Sequence, residues 1–200
     1  QRVALCERLE MLARLHTFSL LGINAVPVEV EVDVSVGAHP KTVLVGLPEA
    51  AVRESTHRVE RAIVNSGFER PQNRVVINLA PAELPKQAAS FDLPITLGIL
   101  AGSCQFSSDL FDQYAVIGEL SLEGRTRPTR GALSMAIAAA RQAGLVGLVV
   151  PAASSAEAAV VEDIDVIPVA NLAEAIAFFA GNLAVDPTPS RLDQLFERLS

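Results

Sequence analysis

Six valines at every second position from Val26 to Val36, separated by Pro27, Glu29, Glu31, Asp33 and Ser35, constrain the fold of this chain more than any other feature. A repeat of two puts all six on one face of an extended strand, whereas a helical repeat of 3.6 would scatter them. The segment therefore predicts a long, half-buried strand with an acidic outer face. Glu29, Glu31 and Asp33 then either guard an exposed sheet surface or face a basic partner.

The segments around it fill in a sheet. Leu15 to Leu21 reads as a strand, with Gly22 to Ala25 as the turn into the valine run. Thr42 to Val45 is short and mostly apolar, which predicts a strand covered on both sides. Gly46-Leu-Pro-Glu49 opens a helix to about Ser66, with Val52, Val59, Ala62 and Ile63 as its buried stripe and Gly67 as its stop. Arg74 to Ala80 is a further strand. A proline-rich loop then leads to Asp92-Leu-Pro94 and an apolar helix ending near Gly102. Tyr114 to Leu122 reads as a strand and Glu123 to Arg130 as a charged turn. Helix and strand then alternate: Gly131 to Ala143, Leu145 to Val150, Ser155 to Val161, Ile164 to Val169, Leu172 to Ala180. A β-rich first third followed by alternating elements implies an α/β (α+β) domain with a mixed sheet and packed helices. Residues 1–10 read as an amphipathic N-terminal extension and 11–183 as the domain. Residues 184–200, broken at Asp186-Pro-Thr-Pro189, read as a linker toward another module.

Half of the 200 residues are apolar, enough for a real core. The formal charge of −7 and pI near 5.0 oppose phosphate backbones except where cations cluster. With no Trp and one Tyr, a stacking surface for single strands is poorly supplied. Cys6 and Cys104 have no C-x-x-C spacing, so a disulfide framework or zinc site has little support and a reducing cytoplasm is the natural setting. The apolar run Leu93 to Ala101 is too short to span a bilayer, and the N-terminus lacks a signal-peptide pattern, so no membrane role is expected. G-x-x-x-x-G-K-[ST] and G-x-G-x-x-G are both absent, and His16, His39 and His57 lack metal-ligand spacing. Neither cofactor nor metal is expected in this stretch.

Several longer motifs occur in order: Val45-Gly-Leu-Pro-Glu49, Val52-Arg-Glu54, Arg58-Val59, Ala62-Ile-Val-Asn-Ser-Gly67, Ile77-Asn-Leu-Ala-Pro-Ala82, Leu84-Pro-Lys86, Phe91-Asp-Leu-Pro-Ile95 and Gly118-Glu-Leu120. Together they resemble the N-terminal domain of the magnesium-chelatase-like AAA+ ATPases, the YifB/ComM family, from about Met11 to Gly181. The resemblance implies a Lon-protease-like, ribosomal S5 domain 2-like fold joined to an ATPase module that would bind ATP and Mg. It also implies a hexameric ring and DNA as a partner, since a family member looks like a DNA helicase acting in branch migration during natural transformation. A metal-chelatase ATPase is the alternative that the family's name carries.

Active Lon-type proteases begin the helix after the proline-rich loop with a nucleophilic serine, and a later helix supplies a lysine base. The resemblance puts Asp92 at the serine position and Leu133, or Ser134, at the lysine position. A carboxylate is a poor nucleophile toward amides, and neither residue carries an ammonium, so no catalytic residue is expected. Asp92 reads as a helix cap, or as a ligand or subunit contact at a remnant site. Lys86 reads as an exposed loop cation or a partner of Asp92. Lys86 with Ser90 is the one displaced Ser-Lys pair the sequence offers to a divergent peptidase. Arg125, Arg127 and Arg130 are the densest basic cluster, either a solvated hairpin or a contact to DNA or a neighbouring subunit. Arg53, His57 and Arg61, mixed with Glu54 and Glu60, read as a solvated helix face.

Overall fold

The computed structural model describes residues 12–35, 40–46, 50–84, 86 and 89–190. The valine run forms β2 (Asn24–Ser35), hairpinned antiparallel to β1 (Leu12–Leu21) around Gly22, whose φ of 66° suits a residue without a Cβ. Val28, Val30, Val32 and Val34 are fully buried, and Glu29, Glu31 and Asp33 lie half-buried on the other face. Val36 lies outside the described residues. β4 (Arg74–Ala80) runs antiparallel to β2, and β3 (Lys41–Val45) runs parallel to β4. On the other side of β1 come β5 (Tyr114–Val116), β8 (Gly147–Pro151) and β9 (Asp165–Val169), all parallel. The sheet has seven strands in the order β3-β4-β2-β1-β5-β8-β9. Mixed pairing confirms the α/β class.

Alternation along each strand divides the core between two faces. Leu15, Val116, Val149 and Ile167 belong to one cluster with α1 (Ala50–Asn65), α2 (Asp92–Gly102) and α5 (Leu172–Phe179). Phe18, Ala115, Leu148 and Val166 belong to the other, with α3 (Ala132–Arg141) and α4 (Ser155–Ala158). The result is a three-layer sandwich. α2 is apolar nearly all round because it lies between the sheet and α1, and ten of its eleven residues are buried. Gly98 lets it settle there, since a Cβ would stand 2.6 Å from Val32 Cγ2.

Several sequence expectations need correction. β3 is an edge strand and only partly buried, not covered on both sides. The Tyr114–Leu122 strand breaks into β5 and β6 (Glu119–Leu120), which hairpins with β7 (Thr126–Arg127). The break falls at Gly118, whose N–H donates to Ser90 O and whose carbonyl accepts from Leu93 N, so the backbone there serves the start of α2. α4 is a single turn following the 3₁₀ turn Ala152–Ser154. Cys104 is disulfide-bonded, where no disulfide was expected. Residues 184–190 have no regular structure, yet Thr188 N donates to Val166 O at 2.8 Å, so the start of the expected linker is tied to edge strand β9. The expected extension at 1–10 and the rest of the expected linker, 191–200, lie outside the described residues. Among the described residues, no helix is long and apolar enough to cross a membrane.

Candidate functional site

The loops leaving β3 and β4, the start of α2 and the β6–β7 hairpin meet at one corner of the domain. Asp92 stands at its centre, with no solvent exposure. It does not cap α2: Phe91 holds the cap position without a side-chain bond, the 3₁₀ turn Ala89–Phe91 runs straight into the helix, and Asp92 is its first residue. The carboxylate points instead at Arg58 of α1, whose Nε donates at 3.0 Å and Nη2 at 3.3 Å, and it also accepts from Leu120 N at 3.2 Å. A buried carboxylate is tolerable only when paired and hydrogen-bonded in this way. Burial pushes the Asp92 carboxyl above the usual carboxylate range, against the pull of Arg58 and the Leu120 N–H. Burial alone would lower Arg58, but the bond and charge of Asp92, together with the charges of Glu119 and Glu54, outweigh it and raise the guanidinium. Thr96 Oγ1 donates to the Asp92 carbonyl at 2.7 Å, closing the first turn.

Arg58 is the functional residue that sequence reasoning passed over. The signal was there: Arg58 follows Ser55 by three and precedes Ala62 by four, so it shares the buried stripe. A charge on that stripe needs a buried partner. By contrast, His57 and Arg61 are exposed as expected, and the Arg53 side chain lies outside the described residues.

Lys86 corrects both of its expected roles. It is fully buried, it does not pair with Asp92, and its Nζ donates to Gly46 O at 2.9 Å and to Pro81 O. Desolvation pulls the ammonium below its ordinary pKa, with Glu83 opposing from a distance. The bonds tie the β3–α1 loop to the exit of β4. Gly46 is required there, because at φ 95° its Cβ would stand 2.2 Å from Leu79 O. Ser90 is buried and its hydroxyl has no hydrogen-bond partner, so Lys86 and Ser90 are not joined as a dyad. Leu133 lies on α3, across the sheet from α2, and its N–H donates to Glu157 Oε1 at 3.1 Å. The two positions carried over from a Lon-type dyad thus belong to helices in different layers.

The arginine cluster sits on the expected hairpin, and acids accompany it. Arg127 pairs with Glu119 at 3.3 Å, Arg125 with Glu123 at 3.7 Å, and Arg130 is exposed, with no ion-pair partner among the described residues. Thr126 N donates to Ala170 O, Leu172 N to Gly124 O, and Asn65 Nδ2 to Leu122 O, which fixes the hairpin between α5 and α1. Among the described residues, no group of His, Cys, Asp and Glu is placed to hold a metal.

The fold and this corner define a mixed α/β domain whose central carboxylate is committed to an arginine. The sequence pattern of the family described as Subunit ChlI of Mg-chelatase matches residues 30–154, which include Arg58, Lys86, Asp92, the hairpin and Leu133. YifB of Escherichia coli strain K12 is 47% identical over 125 residues, covering 62% of this chain and 24% of that protein. YifB of Salmonella typhimurium is 46% identical over 130 residues, 65% of this chain and 26% of that protein. Competence protein ComM of Haemophilus influenzae is 36% identical over 170 residues, 85% of this chain and 33% of that protein. The chain belongs to this magnesium-chelatase-like family, alongside YifB and ComM. It spans about a quarter to a third of the length of these curated relatives.

Proposed function

We propose that the chain is a non-catalytic, Lon-like accessory domain of a magnesium-chelatase-like AAA+ ATPase, acting in ring assembly and DNA handling. The observation that carries this reading is the commitment of Asp92. A fully buried carboxylate held by two Arg58 nitrogens and the Leu120 N–H is withdrawn from solvent and is a poor nucleophile toward amides. Leu133, at the position of the base, carries only hydrocarbon. In this reading ATP and Mg belong to a separate ATPase module, residues 184–200 lead toward it, and the assembled protein is a hexameric ring. DNA as substrate draws its support from the relative named for competence. The setting in this reading is the cytoplasm.

A divergent peptidase is the second reading, favoured by a buried Lys86 with a lowered pKa and a buried, unpartnered Ser90 hydroxyl. Lys86 has already directed protons at Gly46 O and Pro81 O, which leaves it poorly placed as a base for Ser90. A casein-hydrolysis assay on the full-length protein, with and without ATP, separates the two. The inert reading predicts no cleavage above background; ATP-dependent cleavage abolished by Ser90→Ala would overturn it. Mg insertion into a porphyrin by the same preparation would favour a metal-chelatase role instead.

A further inference from the structure

The chain after α5 forms neither helix nor strand as far as Ser190, yet it is held at three places. The helix ends in a closed turn: Gly181, at φ 72°, donates its N–H to Phe178 O at 3.0 Å, and Asn182 N and Leu183 N donate to Ala177 O at 2.8 and 3.0 Å. Val185 is half-buried and packs against the core cluster that contains Ile167, Val169 and Phe178. Thr188 N then donates to Val166 O at 2.8 Å, on edge strand β9.

The local sequence suits docking rather than flexing. In Asp186-Pro-Thr-Pro189 each proline fixes its own φ and restricts the residue before it to extended backbone. The whole stretch therefore has little conformational freedom to lose when it lies down on the sheet. Thr188 carries the one N–H between the two prolines, and that N–H is the one β9 accepts. The strand is matched to this single contact. Asp165 N donates toward β8, to Val146 O, so Val166 and Pro168 turn their backbone groups to the open edge. Pro168 has no N–H to offer there, and a ladder cannot continue past it.

We propose that residues 182–190 are a docked strap belonging to the domain, anchored by Val185 and Thr188, so that any hinge toward a following module lies beyond Ser190. The strap closes the β9 edge and fixes the point from which the chain leaves the domain. It stands apart from the proposed function, because its anchors all lie within the domain. Its test is amide hydrogen exchange of the full-length protein, read by mass spectrometry on peptides covering 182–190. Pro187 and Pro189 have no amide, so Thr188 reports alone between them. Its amide should exchange about tenfold or more slowly than in an unstructured chain. Val185→Asp should bring Thr188 to the unstructured rate. The amides of β4, on the far side of the sheet, should stay protected in that variant, which separates a released strap from an unfolded domain. Thr188→Pro removes the N–H but keeps the backbone extended, and thermolysin should then cut ahead of Val185 about tenfold faster than in the native protein. Thr188 exchanging at the unstructured rate in the native protein would overturn the strap and return 184–190 to a flexible linker. So would protection that survives Val185→Asp, or cleavage unchanged by Thr188→Pro.

Discussion

Asp92 and Lys86 are buried ionisable residues on one loop-to-helix stretch, and the fold satisfies them in different ways. Asp92 is matched by an opposite charge, since Arg58 crosses from α1 with two nitrogens within hydrogen-bond reach. Lys86 has no carboxylate partner among the described residues and rests on two backbone carbonyls. The difference separates a helix-to-helix clamp from a loop tether. Removing half of the clamp strands a buried charge, whereas removing the tether leaves two carbonyls short of a donor and relieves a desolvated ammonium.

The largest expected effect is therefore at the clamp. Arg58→Met should cost about 3 kcal/mol in denaturant unfolding, at the low end for a broken buried pair because Arg58 keeps a quarter of its side chain in water. Gly46→Ala comes next, with about 1–3 kcal/mol from forcing a Cβ against the Leu79 carbonyl; an unchanged midpoint would show that the β3–α1 loop moves aside freely.

Lys86→Met should cost less, about 1–2 kcal/mol near neutral pH. Its sharper signature is in pH. The folded-state pKa lies below the unfolded one, so between the two the unfolded chain holds the extra proton and stability from this group rises with pH toward 10.5. Unfolding measured over that range should show a rising component in the native protein that Lys86→Met lacks. Identical slopes would place Lys86 in water. The smallest effect is on the hairpin: Arg125→Ala should leave the unfolding midpoint unchanged, because both members of its pair are about four-fifths exposed.

Periodicity made much of this fold legible. β4 and α2 fall where their patterns put them, since a strand with one buried face and a helix bounded by Asp92 and Gly102 each carry their limits in local sequence. Gly118 hid the split between β5 and β6, because it is caused by hydrogen bonds to a segment distant in sequence. The edge position of β3 was equally hidden, since four residues of mostly apolar sequence do not say how many neighbours the strand has. In the candidate site, Asp92 was recognisable as unusual from its place after a proline-rich loop. Its partner was not, because Arg58 lies on another helix and only tertiary packing brings the two together. Lys86 was misplaced for the converse reason: main-chain acceptors such as Gly46 O leave no residue-type signal.

A double-mutant cycle on Arg58 and Asp92, read by denaturant unfolding, tests the central claim most directly. If Asp92 serves as a structural partner, Arg58→Met and Asp92→Leu should each destabilise strongly, and the double variant should recover most of the loss, with a coupling of about 2 kcal/mol or more. Additive losses with no coupling would contradict the account and free Asp92 for another role.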